Sequence, residues 1–561
     1  MPTPTDTAAA APEPELPARK LRNPPAEWLY AHRRPIFGVM LVAWVMTMLD
    51  QSIVNIAIPE LQHQLDADVS TATWVINAYN LAFAVLLVPM GRLADQFGRR
   101  RLFVAGMAVF TIASALCAAS PTIGALIAAR AIQGAGAGML APLGFAMAVL
   151  VFPPPRRGFA LTLIAGAALV ANASGPLLGG VLIELVGWPA IFLVNVPVGV
   201  VTIVLARRWW PETVDARAAG QKVDWLGMVL LAGAVCALVL TLNQGNRQGW
   251  GSLNVLWLAQ LTILLGFGFW ASQRFGAAPM LPRDLAANVR FRSANLAMLL
   301  FGAGFIGALL MLSLVFVDLW GYSPIEAGLA LTPVPVCGLL TWPIAARTAG
   351  RVPARTVAQP ALAAVAVGLL WLSFLPAVAD GAGDYLLLLP GLLAVGGGMG
   401  VAFPAINVGA MSSVPPAGSG VASGILNTSR QLGAALGVAI LVAVVVGVAT
   451  IGRGAMRDDV HDIARDYAIS EQTVDGMAGG YLAGFAGAAD RQHDLSGFDQ
   501  RIADRAAGTA RDGFAWAFRV GALGVLVALL LTRRLGPPGA PQPAPSVSSA
   551  STTRSAARPS P

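Results

Sequence analysis

The sequence predicts an all-helical, polytopic membrane protein. Of its 561 residues, 56% are hydrophobic and 12% are charged, which is about half the charged share of an average soluble domain. Apolar runs of about twenty residues recur between Ile36 and Leu531, and a helix of that length crosses a hydrocarbon core about 30 Å thick. A water-soluble fold cannot bury so much apolar surface in its core, and we therefore expect a lipid bilayer to surround the chain.

The apolar runs form two groups of six around a central pair. Charged or Pro/Gly-rich breaks separate the runs of the first group, at 36–58, 73–91, 102–120, 122–145, 158–182 and 190–206. The central pair lies at 225–242 and 254–272. The last group lies at 293–317, 326–345, 356–376, 385–409, 429–450 and 514–531. We predict fourteen spans: two six-helix halves, 36–206 and 293–532, joined by a linker, 207–292, that carries two additional helices.

Basic residues occupy every second loop, and their distribution predicts the orientation. They are Arg33, Arg34, Arg99 to Arg101, Arg156, Arg157, Arg207, Arg208, Lys222, Arg283 to Arg292, Arg347 to Arg355, Arg533 and Arg534. Basic loops resist translocation, so this side is expected to face the cytoplasm. The count then places both termini in the cytoplasm and the protein in the cytoplasmic (inner) membrane.

Three segments carry no apolar run. Residues 1–35 are rich in Pro and Ala, lack the apolar core of a signal peptide and are expected to form a cytoplasmic tail. Residues 451–512 fall on the outer side, and a loop of that length is usually a small folded or partly helical lid, or disordered. Residues 533–561 are expected to be a disordered cytoplasmic tail.

Composition also argues against several other functions. The net charge of +8 does not indicate nucleic-acid binding, because the basic residues are scattered over short loops. Cys117, Cys236 and Cys337 lie within apolar runs and suggest neither a disulfide framework nor a metal site. The sequence has no G-x-x-x-x-G-K-[ST] loop for a nucleotide. We expect no cofactor and no enzymatic activity, which leaves ion gradients as the energy source.

An acid lies deep in the first span, in the segment LDQSIVNIAIP that begins at Leu49. A carboxylate in lipid costs a few kcal/mol even on lenient scales, so such a group usually faces a cavity and marks an ion or substrate path. A polar contact between helices is the plainer alternative. We interpret Asp50 as a functional residue.

The loop after the second span reads GRLADQFGRRR from Gly91 to Arg101. A merely basic loop would explain the arginines, but it would not explain the spacing of Gly91, Asp95 and Gly98. Asp95 is able to form an ion pair with an arginine or to accept hydrogen bonds from the N–H groups of a helix N-terminus. Arg99 and Arg100 are able to form ion pairs across helix ends. These residues predict a specific junction at the cytoplasmic side.

Two more motifs lie in the fourth and fifth spans. RAIQGAGAG, beginning at Arg130, joins an intramembrane guanidinium to glycines that permit close helix approach, although a snorkelling arginine is an alternative. SGPLLGG, beginning at Ser174, supplies a proline kink and small residues four apart, which close packing alone would also produce. The residues singled out in it are Gly175, Pro176, Gly179 and Gly180.

With these four motifs in this order, the chain resembles the major facilitator superfamily and, within it, the fourteen-span drug:proton antiporters. Further matches are GWPAIFLVNVPVG from Gly187, GVASG from Gly420 and NTSRQLG from Asn427. Two departures stand out. Pro189 occupies a place where an arginine is common, and the related second-half loop from Gly350 to Arg355 lacks an acid, so a cytoplasmic latch should be asymmetric and centred on Asp95.

The resemblance implies two halves that rock around a central cavity and expose it to either side in turn. It implies a proton-coupled exporter of small amphipathic drugs or antibiotics that works as a monomer in the lipid bilayer. In the antiporter subfamily SGPLLGG matches the antiporter motif, and Asp50 is the best candidate for the coupling acid. The substrate-binding residues are not assigned from sequence.

Other functions remain possible from the sequence alone. The same scaffold would serve a dedicated exporter of one endogenous metabolite, siderophore or lipid. A nutrient importer is disfavoured by the antiporter-like Gly175 and Pro176, and a non-transporting receptor is disfavoured by the presence of Asp50 and Arg130.

Depth suggests that Asp50 and Arg130 work together. Each lies about eight residues, or roughly 12 Å, from the outer end of its span. A charged pair at that depth costs less than either charge alone, and its separation would favour proton uptake by the carboxylate. Direct contact depends on helix rotation, which depth does not reveal.

Overall fold

The computed structural model describes residues 22–67, 69–215, 223–276, 283–374, 384–415, 418–466 and 497–535. Within them the chain is helical, apart from turns and two isolated β-bridges. The predicted tails therefore lie mostly outside the described residues, as does the middle of the predicted loop 451–512. The two helices that flank this loop reach into it, one ending at Asp466 and the other beginning at Gly497.

The first half contains six long helical segments preceded by one short helix. They are α1 (Ala26–Ala31), α2 (Arg33–Gln64), α3 (Val69–Phe97), α4 (Arg99–Ala118), α5 (Ile123–Val151), α6 (Pro154–Val186), and the broken pair α7 (Ala190–Leu193) and α8 (Asn195–Trp209). The central pair is α9 (Trp225–Gln248) and α10 (Leu253–Phe275).

The second half begins with the short α11 and also contains one broken span. Its helices are α11 (Arg283–Ala287), α12 (Val289–Leu314), α13 (Pro324–Leu331), α14 (Pro333–Thr348), α15 (Ala354–Leu372), α16 (Tyr385–Ser412), α17 (Ser419–Asp466) and α18 (Gly497–Thr532). A π-helical turn, Val315–Leu319, extends α12. Pro333 follows Thr332 at the break between α13 and α14, where proline suits the first turn of a new helix.

Thirteen helical segments of the described residues are long and apolar enough to cross a membrane. The helix α6 has 33 residues, or about 50 Å at 1.5 Å per residue, and it packs along α2 and α14. The helix α6 is not one of these thirteen segments, but it is long enough to cross a membrane as well. The sequence prediction of an all-α, polytopic fold is confirmed.

Each half packs mainly within itself, and the halves meet along a few helices. In the first half α5 packs against α3 and α4; in the second, α12 packs against α17 and α18. The halves touch where α17 meets α3 and α5, and where α6 meets α14 and α16. The helix α10 packs on α9 and exposes most of its apolar side chains, as expected for a helix at the lipid-facing edge.

Consecutive long helices run in alternating directions, so alternate connections share one end of the bundle. We call the end with the α3–α4 and α8–α9 connections and the start of α17 the basic end, because Arg99 to Arg101, Arg207 and Arg208 lie there. The opposite end carries the α9–α10 turn around Gly251.

Thiol labelling tests whether α9 crosses the membrane. We expect Arg208→Cys and Gly251→Cys, each introduced into a chain whose three native cysteines have been replaced, to react with an impermeant maleimide from opposite sides of sealed cells. Both positions are exposed, and a Cβ at Gly251 meets no atom within 4 Å. Labelling of both positions from the same side would contradict a membrane-spanning α9.

Candidate functional site

Asp50 and Arg130 form an ion pair inside the first half. The Arg130 Nη1 lies 2.6 Å from Asp50 Oδ2. Asp50 is 1% exposed and Arg130 is fully buried. The sequence predicted that these two residues lie at the same depth, and the structure shows that they are in direct contact.

Three further groups hold the Arg130 guanidinium. Its Nε donates to the backbone oxygen of Val75 at 3.1 Å, and its Nη1 donates to Gln133 Oε1 at 2.7 Å. The ring of Tyr79 lies 4.1 Å below the guanidinium carbon, within cation–π range. Arg130 does not snorkel to a surface, so the alternative considered from the sequence is wrong.

Two side-chain amides donate hydrogen bonds to the Asp50 carboxylate. Gln133 Nε2 and Asn195 Nδ2 each donate to Asp50 Oδ1 at 2.8 Å. Gln133 also donates to Ser114 Oγ at 2.7 Å. Sequence reasoning quoted Gln133 and Asn195 within motifs but gave them no role. The available signal was an amide inside an apolar run at the depth of an acid.

Close helix packing sets this geometry. A Cβ on Gly134 would lie 2.8 Å from the Cα of Tyr79 and would overlap its backbone oxygen. Glycine at this position thus lets α5 touch α3, so Arg130, one turn earlier, reaches Val75 and the Tyr79 ring. Removing one partner of a buried ion pair typically costs about 3–5 kcal/mol, because the other charge is left uncompensated.

The α2–α6 contact next to Asp50 uses two of the antiporter-motif glycines. A Cβ on Gly175 would overlap Ser52 Oγ and lie 2.8 Å from Ser52 Cβ, and one on Gly179 would lie 2.7 Å from Ile53 Cγ1. Gly180 faces open space, with no atom within 4 Å of its Cβ position. The predicted close contact at Gly175 and Gly179 is confirmed. The side chain of Pro176 lies outside the described part of the chain.

At the basic end, Asp95 joins the two halves. Arg99 Nη2 lies 2.7 Å from Asp95 Oδ1 and 3.5 Å from the hydroxyl of Ser419, the first residue of α17. The backbone N–H of Val421 donates to Asp95 Oδ2 at 3.3 Å. A Cβ on Gly91 would overlap the backbone oxygen of Gly420. Asp95 therefore contacts both an arginine and a helix N-terminus, as the motif predicted.

Gly98 and Arg100 belong to the turn between α3 and α4. Gly98 has φ 117°, a region that glycine favours, and a Cβ there would collide with the carboxylate of Glu212. Glu212 accepts from the N–H groups of Arg100 and Thr213 at 3.2 Å each. Burial raises the pKa of Glu212, and Arg100 and Arg101 partly offset this rise.

The segment after α8, residues 210–215, adds a second acid to this junction. The N–H of Asp215 donates to the backbone oxygen of Asp95 at 2.9 Å. The Asp215 Oδ2 in turn accepts from the N–H of Gly418 at 2.8 Å, just before α17. Two carboxylates therefore face the N-terminus of α17, where the helix dipole favours negative charge. We call Asp95, Asp215 and residues 418–421 the basic-end latch.

Sequence reasoning missed Asp215 because it follows a span in a loop that no motif covers. The second-half loop has no matching acid. Instead, the backbone of Gly350 approaches Gly158, whose Cβ position lies 2.8 Å from Gly350 N. The asymmetric latch expected from the sequence is therefore present, and it contains a second carboxylate.

A cavity of about 620 Å³ lies between the halves at mid-bundle. Its walls are mostly apolar, and its aromatic residues are Trp44, Phe301, Phe305, Trp342 and Phe403. Trp342 donates to the backbone oxygen of Thr162 at 2.7 Å, which joins α14 to α6. Gln51, the neighbour of Asp50, lines the cavity and donates to Asn80 Oδ1 at 2.9 Å. The volume is typical of a small-molecule site.

The sequence model of the Major Facilitator Superfamily matches residues 39–438. The chain belongs to the major facilitator superfamily. It is 38% identical over 401 residues to the cephamycin export protein of Amycolatopsis lactamdurans, covering 70% of this chain and 81% of that protein. It is 33% identical over 413 residues to a probable actinorhodin transporter of Streptomyces coelicolor, covering 72% and 71%.

The superfamily fold is also found among solved structures. The human organic anion transporter MFSD10 matches with a TM-score of 0.57 and 14% sequence identity, covering 91% of this chain and 100% of that chain. A likeness at this identity shows a shared fold. The family resemblance found in the sequence is confirmed.

Replacing the two motif glycines tests the α2–α6 contact. We expect Gly175→Ala to reduce transport more than membrane expression, because its Cβ pushes α2 away beside Asp50, and a larger side chain should reduce it further. Gly180→Ala is the matched control and should be silent. Ser52→Gly combined with Gly175→Ala should restore activity, since it removes the colliding atoms. Equal loss of transport and expression in Gly175→Ala would indicate a folding role only.

A distance measurement tests the basic-end latch. Spin labels at Arg208→Cys and Arg351→Cys, both exposed, report the separation of the halves at that end. We expect Asp95→Asn and Asp215→Asn each to shift the population toward the open basic end by roughly threefold to thirtyfold, since a buried charge at a helix terminus contributes up to about 2 kcal/mol.

Asp224→Asn is the matched control for the latch. Asp224 also lies at the basic end, but it caps α9 through Gly227 N at 2.8 Å and binds Gln273 of α10, so it does not join the halves. An unchanged distance distribution in both Asp95→Asn and Asp215→Asn would overturn the latch.

Proposed function

We propose that the protein exports small amphipathic molecules, drugs or antibiotics among them, across the cytoplasmic membrane in exchange for protons. The observation that carries this proposal is the buried Asp50–Arg130 pair, one residue from the cavity-lining Gln51. Membership of the superfamily and the names of the relatives, which include export proteins for antibiotics, support the direction and the substrate class.

The ion pair provides a physical basis for coupling. With Arg130 at 2.6 Å, the Asp50 carboxylate has its counter-ion. A movement of α2 against α5 that separates them would leave a buried charge, and binding a proton is the least costly way to neutralise it. Proton binding and release at Asp50 would therefore follow the helix arrangement, which is what an antiporter needs.

The basic-end latch provides a physical basis for closing the cavity on one side. In the conformation described here, the N-terminus of α17 is held by Asp95 and Asp215, so the basic end is closed below the cavity. Opening requires both carboxylates to lose their backbone N–H donors together. We assign this end to the cytoplasm because its loops are basic, which places both termini inside.

A dedicated exporter of one endogenous compound is the second candidate. The observation that favours it is that two relatives are named for single compounds, cephamycin and actinorhodin. Growth inhibition of expressing cells by a panel of unrelated dyes and antibiotics separates the two candidates. Protection against several chemical classes indicates a broad exporter, and protection against one class indicates a dedicated one. In either case the protein is expected to act as a monomer.

The coupling role of Asp50 is tested in everted membrane vesicles under an imposed pH gradient. We expect Asp50→Asn to abolish uphill substrate accumulation while binding stays measurable, because asparagine keeps the size of the side chain and does not titrate. Glu60→Gln, the same change in an acid near the end of α2, should retain accumulation. Undiminished uphill transport by Asp50→Asn would refute Asp50 as the coupling acid.

A further inference from the structure

The described wall of the cavity carries a positive charge. Among the described residues that line the cavity, Arg430 of α17 is the one with a formal charge, and none is Asp or Glu. The remaining polar side chains on the wall are mainly neutral amides, namely Gln51, Asn77, Asn80, Asn172 and Gln431. The motif that begins at Asn427 had no role from the sequence, and Arg430 is its charged member.

Within the described part of the chain, Arg430 has no counter-ion. Its Nε is buried and has no hydrogen-bond partner, and no ion pair is found between Arg430 and an acid of the described residues. Arg130, also deeply placed, shows the contrast, since Asp50, Gln133 and Val75 all bind it. An uncompensated charge in a low-dielectric wall is costly, so it attracts an anion that enters the cavity.

The backbone around Arg430 is fixed by close helix packing. A Cβ on Gly302 of α12 would lie 3.0 Å from the backbone oxygen of Arg430. A Cβ on Gly433 would lie 2.8 Å from the Leu299 carbonyl carbon. One turn of α17 is thus pressed against α12, and the guanidinium is carried at a set height in the cavity.

We propose that Arg430 is the substrate anchor and that the preferred substrates are amphipathic organic anions, with a carboxylate or a comparably acidic group on an aromatic or apolar body. The inference rests on the proposed export function and names its substrate class. The planar guanidinium matches a carboxylate with two parallel hydrogen bonds. The aromatic side chains of Trp44, Phe301 and Trp342 then contact the apolar body.

The same wall disfavours cations. A cationic drug entering the cavity meets a positive charge and no acid among the described lining residues, so it gains no ion pair and is repelled by Arg430. Neutral compounds gain only the apolar contacts and the amide hydrogen bonds. The expected order of affinity is anion, then neutral compound, then cation.

Substrate charge also sets the response to voltage. If the same number of protons enters in each cycle, export of a monovalent anion moves two more positive charges inward than export of a monovalent cation. An inside-negative potential should therefore accelerate export of the anion more strongly than export of the neutral compound.

Three dansyl probes with a common fluorophore test the anchor. Dansylglycine is an anion, dansylamide is neutral and dansylcadaverine is a cation at neutral pH. Binding to the purified full-length protein is followed by energy transfer from tryptophan, with Trp44 and Trp342 in the cavity wall. We expect wild type to bind dansylglycine more tightly than dansylcadaverine by about tenfold or more, the range of a charge-assisted contact.

Arginine variants assign that preference to one residue. Arg430→Gln should weaken dansylglycine binding by about tenfold and leave dansylamide binding within about twofold, whereas Arg430→Lys should retain part of the preference. Arg534→Gln, which removes one charge at an exposed position outside the cavity, is the matched control and should match wild type. The wild-type comparison of the three probes needs no variant, so a folding defect in Arg430→Gln leaves the test intact.

Three results would overturn the anchor: no binding of dansylglycine by wild type, equal or tighter binding of dansylcadaverine, or an unchanged preference in well-folded Arg430→Gln. Transport of the probes in proteoliposomes, with a pH gradient and a potassium-diffusion potential, separates this inference from the proposed function. Selective binding of dansylglycine without uphill transport of any probe contradicts the exporter and supports the anchor. Uphill transport without a charge preference supports the exporter and contradicts the anchor.

Discussion

The buried ion pair between Asp50 and Arg130 is the constraint around which the first half is built. Two charges at this depth are tolerable only because they lie 2.6 Å apart and because amides, a backbone oxygen and an aromatic ring satisfy the remaining polar groups. Each partner comes from a different helix, so the pair fixes the packing of α2 against α5 and recruits α8 through Asn195. Gly134 and Gly175 then supply the close approaches that this geometry demands.

The ion pair lies in the interior of the first half, and the basic-end latch lies at one end of the bundle, where it holds the halves together. At the basic end, the first half supplies the Asp95 carboxylate, the start of the linker supplies that of Asp215, and the second half supplies backbone N–H groups at the start of α17. The same helix carries Arg430 into the cavity about three turns further along. One rigid helix therefore links closure of the basic end to the position of the proposed substrate anchor, so α17 is the natural element to couple substrate binding to the opening of the halves.

Sequence reasoning found most of the fold, because apolar runs of membrane length and alternating basic loops follow directly from the bilayer. It also found Asp50, Arg130 and Asp95, because a charge inside an apolar run, or a fixed spacing of glycines around an acid, stands out from its surroundings. The contact partners were less visible. Depth placed Asp50 beside Arg130, but only helix rotation, set by glycine contacts across α3 and α5, brings them together.

Asp215 and Arg430 show where such reasoning stops. Asp215 lies in an ordinary polar loop, and its importance arises from a backbone path that returns to α17. Arg430 is conspicuous in the sequence, but whether it is neutralised depends on which acids face it, and no spacing rule gives that information. The breaks between α7 and α8 and between α13 and α14 are not evident from composition either, because they lie inside single membrane-length segments, Ala190–Trp209 and Glu326–Thr348, which match the predicted spans 190–206 and 326–345.

The central claim, that Asp50 exchanges the coupling proton, is tested most directly by proton movement driven by substrate alone. Proteoliposomes loaded with substrate and a trapped pH dye, without an imposed pH gradient, are diluted into substrate-free buffer. The account predicts that substrate efflux through the wild-type protein acidifies the lumen, and that efflux through Asp50→Asn, if it occurs, leaves the lumen pH unchanged. Equal acidification by both proteins for the same amount of substrate released would contradict it.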